Sequence, residues 1–206
     1  MDYVITIGRQ FGSGGRELGR LLARKLEIPF YDKELLLKAA EQSGIAPEFF
    51  VNNDERMPKL ISGLIPFGYG TNPFPWYAGS TSISDDNLYK TQSDLIKTVA
   101  DQGPCVIVGR SADYVLRDHP CAINVFVHAS MDDRVERILR RSDCDDENKA
   151  RRMAERINKL RANYYNFYTD KRWGDAASYD LTFNSSLLPM SDIADLIIAY
   201  VNRRLS

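Results

Sequence analysis

The chain has 206 residues, of which 44% are hydrophobic and 27% charged, and its formal net charge is −1. Such a chain can bury the core of one α/β domain without cross-links, which sets aside the disulfide-stapled class. The near-zero charge also removes any global attraction for nucleic acid or anionic membrane, so an anion site has to be built locally.

The three cysteines, Cys105, Cys121 and Cys144, show no metal-type spacing. Cys105 and Cys121 sit in apolar runs and read as buried thiols of a reducing compartment. The first residues lack a basic segment followed by an apolar one, and no apolar run is long enough to span a bilayer. The expected location is the cytoplasm, with neither membrane nor nucleic acid as a partner.

In chain order, "YVITIG" (Tyr3–Gly8) reads as a buried strand. A glycine-rich turn follows, then a helix over about 15–26 with Leu18, Leu21, Leu22 and Leu26 at helical spacing. "IPFYD" predicts a short strand ending near Tyr31, with Asp32 as N-cap of a helix from about Lys33 to Gln42. Residues 62–84 are rich in Gly, Pro, Ser, Thr and aromatics and have no usable period. Long loops of this kind inside a compact domain are functional or disordered. Phe67, Tyr69, Phe74, Trp76 and Tyr77 speak against disorder. The segment is expected to belong to a substrate-side cap (about 45–85) or to a contact between copies in a homo-oligomer.

A helix is predicted over about 86–102, and "GPCVIVGR" as a strand delivering Arg110 at its C-terminal end. "CAINVFVHA" is the next strand. A helix at 131–141, a long arginine-bearing helix at about 147–168, a last strand in "YDLTFNSS" and a closing helix capped by Ser191 complete the chain. Apolar strands alternating with helices imply a parallel sheet covered on both faces, the three-layer α/β class. One domain is expected, with core 1–44 and 86–206.

The turn "GRQFGSGGRE" carries the main chemical signal. The strict phosphate-loop pattern is G-x-x-x-x-G-K-[ST]. With Gly14 as its second glycine, the first glycine position holds Arg9, the lysine position Gly15 and the hydroxyl position Arg16. What remains is Gly12-Ser13-Gly14-Gly15 between strand and helix, where converging backbone N–H groups and a helix N-terminus can bind an anion. Arg9 and Arg16 flank it and offer positive charge, in forks that suit phosphate. Glu17 falls in the first helical turn, where it either approaches a Mg²⁺ ion or complements the helix dipole. Without a ligand, the same glycines would serve only a tight strand-to-helix turn.

Four segments resemble the cytidylate kinase-like family, a branch of the nucleoside monophosphate kinases with a P-loop fold and a lid. They are "ITIGRQFGSGGRELGRLLARKLEIPFYDKELL", "CVIVGRSADYVL", "INVFVHASMDDRVERILRR" and "RINKLRANYYNFYTDKRWGDAASYDLTFNSS". Gly-Gly-Arg-Glu at the loop end is typical of this branch. The resemblance implies ATP-dependent phosphoryl transfer to a nucleoside monophosphate, CMP or dCMP foremost, with Mg²⁺ as cofactor. It implies that Arg9, Gly12, Ser13, Gly14, Gly15, Arg16 and Glu17 hold the ATP phosphates, with Arg16 doing the lysine's work. Arg110 and Asp32 would serve the acceptor, and Glu17 or Asp32 the metal, through water. Arg137, Arg156 and Arg161 would come from a lid region at about 137–172 onto the transferring group. Two other readings stay open: a nucleotide-binding protein without turnover, and a kinase for another small acceptor.

Overall fold

The computed structural model describes residues 3–32 and 85–206 of the chain. The helix expected at 33–42, the cap at about 45–85 and the aromatic loop 62–84 lie outside the described residues.

The described elements run β1 (Val4–Arg9), α1 (Gly15–Leu26), β2 (Phe30–Tyr31), α2 (Asp85–Asp101), β3 (Cys105–Val108), α3 (Ala112–Val115), β4 (Ala122–His128), α4 (Met131–Arg140), α5 (Glu147–Thr169), β5 (Leu181–Asn184) and α6 (Met190–Leu205). A short 3₁₀ turn at Ala176–Ser178 precedes β5. The five strands form one sheet in the order β2-β3-β1-β4-β5. Every pairing is parallel; Val4 stands opposite both Cys105 of β3 and Ala122 of β4.

Strand alternation sorts the core into two layers. Ile5, Ile7, Val106, Val108, Ile123, Val125 and Val127 meet Leu18 and Leu22 of α1 and Ile193, Ile197 and Val201 of α6. Val4, Cys105, Ile107 and Ala122 point to the other face, against Leu95, Ile96 and Val99 of α2 and Val115 and Leu116 after β3. Helices therefore cover both faces of a parallel sheet, as the apolar strand runs predicted. A third cluster joins Phe11 of the glycine turn to Val135 and Ile138 of α4 and Ala150, Ala154 and Ile157 of α5.

Two local expectations change. The closing helix starts after Pro189, and Ser191 lies inside its first turn with its hydroxyl donating to Asp192 Oδ1 at 2.9 Å. Cys105 is buried, and burial pushes its thiol up to about 12, but Cys121 is only partly covered. The C-terminal ends of β1, β3 and β4 all emerge on one edge of the sheet, where open α/β sheets place their ligands.

Candidate phosphate-transfer site

The turn between β1 and α1 is fastened from three sides. Phe11 N–H donates to Asn158 Oδ1 of α5 at 2.8 Å. The Ser13 hydroxyl lies within 2.9 Å of the Gln10 carbonyl and 3.0 Å of the Val127 carbonyl. Ser185, just after β5, donates its hydroxyl to the Ser13 carbonyl at 2.8 Å. Gly12 and Gly14 both adopt φ of 81°, in the left-handed region. No side chain caps α1 at Gly14. The first N–H groups of α1 thus open onto the space above the turn, as an anion site at a helix N-terminus requires.

Arginines converge above that opening. A cavity of about 1190 Å³ on this edge is lined, among the described residues, by Arg9, Arg16, Arg110, Arg137, Arg141 and Arg161. Arg161 donates from Nη1 to the Arg9 carbonyl at 3.0 Å. Its guanidinium and that of Arg141 lie 5.5 and 5.3 Å from the centre of the Phe11 ring. Burial, then the charges of Arg9, Arg141 and Arg110, push Arg161 well below the usual arginine value. Arg9 is pushed down to about 10 by burial and by Arg110 and Arg16, against an opposing pull from Asp32. Guanidiniums that repel one another across a partly dry cavity are stabilised by an anion placed between them.

On the far side, Gly109, Arg110 and Ser111 have φ of 81°, 61° and 51°, three successive left-handed residues at the end of β3. Such conformations cost on the order of 1–3 kcal/mol each for non-glycine residues and gather at ligand sites. Arg110 donates from Nη1 to Gln92 Oε1 at 3.2 Å. The Ser111 hydroxyl is buried and finds no partner among the described residues. Asp113, also on the cavity, accepts from the Tyr165 hydroxyl at 2.6 Å. Burial raises Asp113 above the ordinary aspartate value, and the Tyr165 bond opposes that rise.

The structure gathers Arg9, Gly12, Gly14, Gly15, Arg16, Glu17, Asp32, Arg110, Arg137 and Arg161 around one cavity. Ser13 lies beneath the turn, where its hydroxyl braces the backbone instead of facing the opening. Arg156 lies apart from these residues: it is exposed on α5 and outside the described cavity lining, whereas Ala154 and Ile157, three positions apart, face the core. Arg137 lines the cavity and also touches the turn itself. It donates to the Gly12 carbonyl at 3.4 Å and to the Ser185 carbonyl at 2.8 Å, two contacts that brace the turn. Asp32 is engaged by Arg16, whose Nε lies 2.7 Å away. The sequence alone does not single out Phe11, Asp113, Arg141 or Ser185. An apolar residue inside a glycine turn and an arginine at α4's end have no periodic signature; they acquire meaning when α5 folds over the turn.

Residues 4–187 match the cytidylate kinase-like family. Among solved structures, an uncharacterized protein from Eubacterium ventriosum is 28% identical, with a TM-score of 0.72 over 97% of this chain and 98% of that one. A gluconokinase from Sinorhizobium meliloti is 16% identical, with a TM-score of 0.56 over 98% of this chain and 93% of that one. A shikimate kinase from Bacteroides thetaiotaomicron is 15% identical, with a TM-score of 0.56 over 97% and 98%. No match was found among curated protein sequences. The last two structures share the fold, and the family match spans most of the sequence: this chain belongs to the cytidylate kinase-like family.

Proposed function

We propose that the protein transfers the γ-phosphoryl group of ATP to a nucleoside monophosphate, with CMP or dCMP as the leading acceptor. The observation that carries this reading is the meeting of Arg9, Arg110, Arg141 and Arg161 over the uncapped start of α1. Phosphoryl transfer needs positioning and charge neutralisation more than covalent help. An acceptor phosphate oxygen, already anionic, attacks Pγ; its new P–O bond forms as the bond from Pγ to the bridging oxygen breaks, and that electron pair leaves with ADP. No proton must be removed, which agrees with a cavity rich in guanidiniums. The turn and the start of α1 take the ATP phosphates, Arg110 the acceptor phosphate, and Arg141 and Arg161 the charge between them. Their approach with α5 would exclude water from the reacting group.

Among the described residues, no group of three or more His, Cys, Asp or Glu side chains could hold a metal. Mg²⁺ in such sites rides mostly on phosphates and water with one or two carboxylates. Glu17, exposed on the first turn of α1 and lining the cavity, fits that sparse requirement; Asp32 is taken up by Arg16. When bound, Mg²⁺ neutralises phosphate charge.

The test is ADP release from ATP with a panel of nucleoside monophosphates. Acceptor-dependent release, greatest with CMP or dCMP, is expected; release at background for every acceptor would overturn the reading. A second reading, transfer to a small hydroxyl compound, is favoured by Asp113, a buried carboxylate on the cavity whose raised proton affinity suits a general base. Two structural neighbours are named as a gluconokinase and a shikimate kinase. Adding gluconate and shikimate to the panel separates the two readings. ATP binding by calorimetry without any turnover would instead mark a binding protein.

A further inference from the structure

The lysine of the strict phosphate-loop pattern is missing from the end of the turn, and the structure holds another cation, Arg9, at the beginning of the same turn. Gly15 stands at the lysine position. A Cβ built on Gly15 would lie 2.5 Å from Arg9 Cβ and 2.9 Å from Arg9 Cγ. The stem of Arg9 therefore runs through the space that a side chain at position 15 would need. Farther out, a Cβ on Gly109 would overlap the Arg9 guanidinium at Nη1, with Cζ at 2.7 Å. Arg9 is thus threaded between two glycines, one on each neighbouring element, and its head enters the cavity at the C-terminal edge of the sheet. Real side chains essentially never approach as closely as these hypothetical atoms would, so position 15 can carry a side chain only if Arg9 moves.

The other candidate, Arg16, is differently placed. Its Nε and Nη2 both reach Asp32 Oδ2 at 2.7 Å. The hydrogen bonds and ion pairs of the described residues include none from the Arg9 guanidinium, whose backbone carbonyl is meanwhile held by Arg161. A fixed stem, a head that pairs with no carboxylate among the described residues, and the uncapped helix start beside it suit a phosphate-gripping side chain.

We propose that Arg9 performs the work of the missing loop lysine, and that Arg9, Gly15 and Gly109 form one interdependent set in which the cation has moved from the end of the turn to its beginning. This rests on the reading that the turn binds ATP phosphates. The arrangement exchanges positions without exchanging function: in the standard pattern a glycine at the first position leaves room for a lysine from the seventh, whereas a glycine at the seventh position makes room for an arginine from the first.

The experiment measures Mg-ATP binding by calorimetry together with thermal melting of the unliganded protein, for wild type and five variants. Arg9→Met is expected to weaken binding at least tenfold while melting near the wild-type temperature; wild-type affinity in a folded Arg9→Met protein would overturn the proposal. Gly15→Ala is expected to lower the melting temperature of wild type but not of an Arg9→Gly background; equal effects in both would overturn the shared-space claim. The swap Arg9→Gly/Gly15→Lys, which restores the standard pattern, is expected to bind at least tenfold better than Arg9→Gly alone, and no gain would count against the proposal. Wild type that binds no Mg-ATP would sink the phosphate-site reading itself and the proposal with it. Wild type that binds, with Arg9→Met unimpaired, would sink only the proposal.

Discussion

Arg16 grips one oxygen of Asp32 twice, its Nε and Nη2 each standing 2.7 Å from Oδ2. Asp32 is almost fully buried, at 4% exposure, and closes the end of β2 against the start of α1. Arg20 adds a weaker approach at 3.9 Å. Removing one partner of a hydrogen-bonded buried charge costs about 1–3 kcal/mol. Arg16→Ala is therefore expected to lower stability by that order, and a double-mutant cycle with Asp32→Ala to give a coupling of at least about 0.5 kcal/mol. Urea denaturation checks it; additive effects would show that the pair holds nothing.

Arg161 predicts the opposite pattern. Its charge is disfavoured by burial and by Arg9, Arg141 and Arg110 in the unliganded protein. Arg161→Met removes that repulsion, keeps much of the stem and loses one bond to the Arg9 carbonyl. The expected result is an unliganded melting temperature at or above wild type, with a smaller rise on adding Mg-ATP. A large drop without ligand and an unchanged ligand-induced rise would contradict it.

Asp113 gives the pH dependence. Burial raises its proton affinity above the unfolded value of 3.8. Between the native value and 3.8 the folded chain binds more protons than the unfolded chain, so this group adds stability as pH falls through that window and none is gained above it. Asp113→Asn, which keeps an acceptor for the Tyr165 hydroxyl, is expected to flatten that part of the urea-midpoint profile and to leave stability at pH 7 equal or higher. Transfer to a phosphate acceptor should survive within about tenfold, since no base is needed. A loss of several thousandfold would favour a hydroxyl acceptor.

Gly12 has φ of 81°, and a Cβ there would stand 2.7 Å from the Arg134 carbonyl. Gly12→Ala meets both backbone strain, about 1–2 kcal/mol for a left-handed residue, and a clash with main chain that cannot swing aside. A fall in urea stability of at least about 2 kcal/mol is expected, with weaker Mg-ATP binding, because the turn is displaced. A variant as stable as wild type would show that the turn is not clamped against α4.

Much of the sheet is legible in the sequence. The runs at 3–8, 105–108 and 121–129 are apolar enough to be strands buried on both faces, and Leu18, Leu22, Ile193 and Ile197 repeat at helical spacing. The start of α6 differs from the expectation because Ser191 is a good cap by type, while Pro189 begins the helix without a side-chain cap. At the site, Arg110 was readable from its place at a strand end. Arg156 and Arg161 were not separable by type: both are arginines on one long polar helix, and the face that α5 turns to the glycine loop depends on its packing against Phe11 and Ile138.

By itself, the sequence determined the strand–glycine turn–helix unit, the parallel alternation that follows it, and the lack of a lysine at position 15. These are short-range matters of period and turn chemistry. Which arginine fills the space beside Gly15 is decided only in three dimensions. The order β2-β3-β1 sets Gly109 beside Arg9 and brings Asp32 within reach of Arg16. Contacts between residues a hundred positions apart are fixed by which strands adjoin, and no local pattern carries that information.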